Sequence, residues 1–149
     1  MSIEIRIAEP HEADTLTEIA IQAKSYWDYT PEQIKSWRIF LTFTPEYVVE
    51  NQVWVAILDE QIIGVVAVEH TDDEIVLEHL WVSPDVIGKG VGRKLFTHVT
   101  EHEPEFVLTS DPNADAFYIK MGAVKIGEVE STMQGRMLTK FHYSKASSD

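Results

Sequence analysis

From Gly88 to Arg93 the chain reads Gly-Lys-Gly-Val-Gly-Arg. Three alternate glycines weaken any regular structure they fall in, so a run like this points to a loop with its own purpose. Such a loop lets backbone N–H groups approach a ligand closely. A helix-period segment with Val91, Leu95, Phe96 and Val99 on one face follows it directly. A loop opening such a helix gathers free N–H groups and the positive end of the helix dipole into an anion site, and Lys89 and Arg93 add charge suited to a phosphate. No Gly-Lys-Ser/Thr closes the run, so it is not a Walker A loop, and Gly-x-Gly-x-Gly lacks the spacing of the dinucleotide fingerprint. A loop that is merely tight also uses glycine in this way.

Proton-transfer candidates lie on both sides of this loop. Glu78 falls in an apolar run, where burial raises a carboxyl pKa toward that of a base working near neutrality. A Glu at a sheet opening, solvated or paired with Lys, reads the same in sequence. Strict alternation puts Val76, Glu78, Leu80 and Val82 on one face, and Ile75, Leu77, His79 and Trp81 on the other. His79 then reads as a satisfied core histidine, or alternatively as a base. Tyr118 carries a phenolic O–H that can act as an acid, although a Tyr near a helix end is commonly just packed and hydrogen-bonded. His98 and His102 are one helical turn apart without a third ligand of suitable spacing, so no metal site is expected. The cluster Tyr26, Trp27, Asp28 and Tyr29 offers an aromatic wall with a carboxylate, suited to a cationic amine, or simple packing at a helix connection. Arg136 can hold a carboxylate through two hydrogen bonds, or tie the last strands together.

The elements that must position these residues follow from periodicity. Ile3, Ile5 and Ile7 alternate with polar residues as in a half-buried strand. After Pro10, the residues Ala13, Leu16, Ile19, Ala20 and Ala23 share a helical face. Thr30-Pro31 with Gln33 forms a capping box ahead of a second helix through Ile34, Trp37 and Leu41. Val53 to Leu58, Ile62 to Val68 and Glu74 to Val82 are strand-like and turn at Asp59-Glu60 and Thr71-Asp72-Asp73. The loop and its helix come next, then a strand from Phe106 to Thr109 and a helix opened by Asp111-Pro112. Two strands, Ala123 to Val129 and Gly135 to Tyr143, complete the chain. This order predicts one domain spanning residues 1–149, α/β or α+β, with a dominant mixed sheet and a loose tail from 144 to 149.

Composition narrows the function classes. The chain of 149 residues carries 25 acidic and 12 basic side chains, a formal charge of -13, and 44% hydrophobic residues, enough for one large core. A charge of that sign argues against a phosphate-backbone binder and suits a cationic small molecule or basic peptide. Zero cysteines remove disulfides, thiolate nucleophiles and thiolate metal sites. The sequence has no apolar run of membrane-spanning length and no signal-peptide layout at its N-terminus, so a cytoplasmic protein that engages neither membrane nor nucleic acid is expected.

Two segments carry a family resemblance. Val82 to Leu95 resembles the acyl-CoA pyrophosphate loop and following helix of the GNAT acetyltransferase superfamily. Asp111 to Ala123 is similar to that superfamily's Asn...Tyr...Gly segment, and the element order matches nearly end to end. Ser25 to Tyr29 and Glu128 to Leu138 resemble a subgroup of small bacterial members. Two positions depart from the pattern: Ile87 stands where the family usually has Arg or Gln, and Ala123 where Phe is common.

The resemblance implies a GNAT fold, a mixed and splayed sheet flanked by helices. Acetyl-CoA is expected in the splay between the strands 74–82 and 106–109. Main-chain groups of Leu80, Trp81 and Val82 face the pantetheine arm, Ile87, Gly88, Lys89, Gly90, Val91, Gly92 and Arg93 surround the pyrophosphate, and Asn113 contacts the arm. Tyr118 matches the residue that protonates the departing thiolate, and Glu78 the one that draws a proton from the amine through water. The implied reaction is acetyl transfer to a primary amine of a small molecule or peptide, directly within a ternary complex and without a metal. Tyr26, Trp27, Asp28, Tyr29 and Arg136 are candidates for the acceptor pocket, and a homodimer is common in the superfamily. A noncatalytic acyl-CoA binding or sensing module is the alternative, with Ile87 as its best argument. A ligand-free dimerisation domain is a third reading.

Overall fold

The computed structural model describes residues 2–27, 29–131 and 136–145. Its strands are β1 (Glu4–Ile7), β2 (Gln52–Leu58), β3 (Gln61–His70), β4 (Ile75–Val82), β5 (Glu105–Ser110), β6 (Val124–Ser131) and β7 (Arg136–Ser144). Helices α1 (Ala13–Ser25), α2 (Pro31–Leu41) and α3 (Pro45–Glu50) lie between β1 and β2. Helix α4 (Val91–His102) precedes β5 and α5 (Asp115–Lys120) follows it. The strands form one sheet in the order β1-β2-β3-β4-β5-β7-β6, with every pairing antiparallel except β4 with β5.

Alternation along β2 and β3 gives the sheet two buried faces. Val53, Val55, Val65 and Ala67 join Leu16, Ala20, Trp37 and Leu41 in one core under α1 and α2. Trp54, Ala56, Val66 and Val68 join Leu95, Phe96, Val99 and Tyr118 in the other, under α4 and α5. Gly64 is what lets α4 lie flat on β3, because a Cβ there would meet Leu95 Cδ1 at 3.0 Å and Val91 Cγ1 at 3.1 Å. The box expected at Thr30 is formed: the Thr30 hydroxyl accepts from the Gln33 N–H at 3.1 Å, and the Gln33 side chain accepts from the Thr30 N–H at 2.9 Å. Helix α3 extends the expected order, and it too carries a legible start, Thr44 capping the Tyr47 N–H ahead of Pro45.

Strict alternation fails in β4. Ala67 pairs with His79 and Val68 with Leu77, so Glu78 is the extra residue of a β-bulge. A bulge inverts the phase of every residue beyond it. Leu77 therefore packs with Leu80 and Val82 against the α4 core, whereas Trp81 belongs to the α1–α2 core and His79 contacts Phe43 and Tyr47. The shared face expected for Leu77, His79 and Trp81 is thus corrected.

Candidate functional site

Strands β4 and β5 pair at a single register point, Val76 with Val107, and part beyond it. Leu80, Trp81 and Val82 remain paired with Val66, Val65 and Gly64 on the β3 side, leaving their other backbone edge facing the gap. That edge presents main-chain donors and acceptors to an extended ligand in the manner of an added strand. A cavity of about 310 Å³ opens there, lined by Leu80, Trp81, Val82, Ile87, Gly92 and Phe117 among others. A second, of about 240 Å³, reaches Glu78, His79, Thr109 and Ser110. Lys24, Leu80, Trp81, Asp111, Ala114 and Tyr118 line both, so Tyr118 stands where the two meet.

The glycine loop adjoins the first cavity through Ile87 and Gly92, which line it. A short 3-10 turn, Pro84–Val86, carries the chain off β4 and is capped by the Ser83 hydroxyl. Gly88 then takes φ +87° and Gly90 φ +79°, both in the left-handed region that only glycine enters at little cost. No atom lies within 4 Å of where a Cβ would be at either glycine. The positive φ, not crowding, is what demands glycine here. Gly90 is also the N-cap of α4, so the loop delivers the free N–H groups of a 12-residue helix to its own rim. Lys89 and Arg93 are exposed beside it. Gly92 packs on the Phe117 ring, 3.4 Å from the position of a Cβ. These features fit an acyl-CoA: a backbone anion cradle, an apolar cleft, and a free strand edge between them. Ile87, half-exposed, extends the apolar wall without contributing a polar contact.

The proton-transfer candidates occupy the second cavity. Glu78 is an exposed residue by its accessible surface, yet the protein packed around its carboxyl, then the nearby charge of Glu69, raise its pKa to about 6. Glu69 itself accepts a 2.6 Å hydrogen bond from the Tyr47 hydroxyl. His79 is a different kind of group. Its Nδ1 accepts from Trp81 Nε1–H at 3.0 Å, and burial lowers its pKa to about 4, so it is neutral near pH 7. That is the satisfied core histidine, placed on the cavity wall. Tyr118 is 7% exposed, and burial pushes its phenol well above the ordinary range, keeping it protonated at any physiological pH.

Helix connections place the remaining expected residues. Tyr26 and Trp27 line the first cavity with Ile87, on its Gly92 side, not the cavity that holds Glu78. Tyr29 turns inward instead, donating from its hydroxyl to Asp111 Oδ2 at 2.7 Å. Asn113 donates from Nδ2 to Tyr29 Oη at 3.1 Å and to Asp111 Oδ1 at 3.0 Å. Asp28 and the side chain of Arg136 lie outside the described residues. His98 meets Trp54 edge-on and His102 meets it at a tilt, each ring centroid 5.1 Å from the indole.

Sequence reasoning missed the centre of this network. Lys24 is 4% exposed, its Nζ 2.5 Å from Asp111 Oδ2 and over the rings of Tyr29 and Trp37 at 5.0 and 4.8 Å. Burial alone would raise the Asp111 pKa, but hydrogen bonds from Lys24, the Asn113 N–H and Tyr29 hold it below the ordinary carboxylate range. The available signal was a lysine continuing the Ala13, Thr17, Ala20 stripe of α1, where an apolar residue is expected.

Comparison with known proteins agrees with this geometry. Residues 50–122 match the family model described as an acetyltransferase (GNAT) domain, the segment from the end of α3 through Gly122. The uncharacterized N-acetyltransferase YafP of Escherichia coli K12 is 27% identical over 146 residues, covering 95% of this chain and 94% of that protein. The PaiA N-acetyltransferase of Thermoplasma acidophilum, solved with coenzyme A, superposes with a TM-score of 0.76 at 21% identity, over 96% of this chain and all of its own, 100%. YjaB from Escherichia coli, in its apo form, gives 0.76 at 24% identity, covering 96% and 98%. Fold, loop and family match converge: residues 50–122 match a GNAT acetyltransferase domain, and the chain around them has the fold of solved N-acetyltransferases.

Proposed function

We propose that the chain transfers the acetyl group of acetyl-CoA to a primary amine by direct attack within a ternary complex. The observation that carries this reading is the run of cavity from Ile87 and Gly92, the residues flanking the Gly88–Gly90 cradle, along the free edge of Leu80 to Val82, to Tyr118 and into the cavity holding Glu78. The pyrophosphate is held by the N–H groups of the loop and of the first turn of α4, with Lys89 and Arg93 alongside. The pantetheine arm follows the β4 edge, with Asn113 beside it. Holding both reactants in one cleft supplies much of the rate.

The amine nitrogen attacks the thioester carbonyl carbon and loses a proton through water to Glu78. A carboxyl with a pKa of about 6 is ionised near neutrality yet more basic than an ordinary Glu. As the C–S bond breaks, the leaving thiolate takes a proton from the Tyr118 hydroxyl. Backbone N–H near Leu80 polarises the carbonyl. The test is amine-dependent release of CoA thiol from acetyl-CoA, in wild type and Tyr118→Phe. Release that requires an amine and falls sharply in the variant supports the reading. Acetyl-CoA binding with no release for any amine favours a noncatalytic binding module instead.

A further inference from the structure

The cavity behind Tyr118 has a definite chemical character. Trp37, Phe40, Leu41, Trp81 and Leu138 give it aromatic and aliphatic walls. At about 240 Å³ it falls below the roughly 300–1,000 Å³ typical of pockets for drug-sized ligands. Its described charged groups are Glu78, Lys24 and Asp111. Lys24 and Asp111 are engaged with each other at 2.5 Å, and Lys24 lies 4.8 Å from the centroid of Trp37, the ring of this cavity that would otherwise receive a ligand cation. An acceptor carboxylate therefore meets two carboxylates and a cation committed to one of them. A second ammonium finds the face of Trp37 already taken by Lys24, and Glu78, the described carboxylate outside the Lys24–Asp111 pair, is engaged by the reacting amine. Against the described lining, an uncharged, apolar tail is what enters without losing hydration it cannot replace. Phe40, half-exposed at α2, extends the apolar wall outward.

Building on the acetyltransferase reading, we infer that the acceptor is a small monoamine with an uncharged aromatic or aliphatic tail, not an amino acid, a polyamine or an amino sugar. The apolar wall recognises the tail, and the Lys24–Asp111 pair excludes a second charge of either sign. A pocket that merely tolerates an added charge loses little, whereas one in which the charge has no partner discriminates strongly.

The experiment compares matched amines by thiol release, with acetyl-CoA binding followed on the same preparation by thermal shift. 2-Phenylethylamine is set against phenylalanine, which adds a carboxylate, and butylamine against 1,4-diaminobutane, which adds an ammonium. Glucosamine completes the set. The expected result is a kcat/KM roughly tenfold or more higher for each singly charged amine than for its doubly charged match. Phe40→Ala should lower kcat/KM for 2-phenylethylamine several-fold while leaving the acetyl-CoA shift in place. Equal or greater turnover of phenylalanine, diaminobutane or glucosamine overturns the inference and leaves the transferase reading standing. So does an acetyl-CoA shift with no turnover of either monoamine. Absence of any acetyl-CoA shift overturns the inference together with the reading beneath it.

Discussion

The proton-transfer roles proposed for Glu78 and Tyr118 depend on surroundings that act in opposite ways. Burial keeps Tyr118 protonated, the form an acid needs, whereas the raised pKa of Glu78 keeps part of it protonated below pH 6, the form a base cannot use. Activity should therefore rise with pH through a limb near 6 and become independent of pH above it, measured as kcat/KM for an amine under conditions where its own ionisation is accounted for. Glu78→Gln should remove that limb and lower the rate by about 10²-fold or more. Stability moves the other way. Because the folded state holds the Glu78 proton more tightly than the unfolded chain, this group's contribution falls as pH rises from about 4.5 to about 6. Glu78→Gln should accordingly raise the melting midpoint more at pH 8 than at pH 5, which thermal scans at the two values will check. Tyr118→Phe should leave acetyl-CoA affinity nearly unchanged and lower kcat by about 10²-fold.

Elements bring these residues together, and the sequence reveals them unevenly. The cap at Thr30, the glycine loop and the strand periods are encoded within a few neighbouring residues, and the structure follows them closely. The Glu78 bulge is not local: it depends on how β3 pairs with β4, and it reverses the face of Leu77 relative to His79. The Lys24–Asp111 pair spans 87 positions and joins α1 to the end of β5, a contact no sequence period encodes. The aromatic wall of the inner cavity proves to be Trp37, Phe40 and Trp81, whereas Tyr26 and Trp27 line the first cavity. Two predictions belong at this scale. Replacing Lys24 with Met strands a buried Asp111 carboxylate and should cost about 3–5 kcal/mol in chemical denaturation; restoring much of it with Lys24→Met plus Asp111→Asn would identify the lost charge pairing as the cause. Gly90→Val forces a β-branched residue to φ +79° and should weaken acetyl-CoA binding, by calorimetry, by tenfold or more, corresponding to roughly 1–2 kcal/mol of backbone strain.

For the molecule as a whole the formal charge is -13, yet the glycine loop and the start of α4 carry three exposed basic side chains, Lys89, Arg93 and Lys94. Among the described residues no helix is long and apolar enough to cross a membrane. A chain so acidic binds a polyanionic ligand only through a local site, so its response to CoA reports on that site and not on net charge. The most direct measurement is the thermal unfolding midpoint with and without acetyl-CoA, with free CoA and ATP as controls. At about 100 times the dissociation constant, linkage gives about 2.7 kcal/mol of stabilisation, a rise of several degrees for a chain of this size. A rise with acetyl-CoA and CoA, and none with ATP, is the predicted result. No rise at millimolar acetyl-CoA, or an equal rise with ATP, would contradict a cleft built for the whole acyl-CoA.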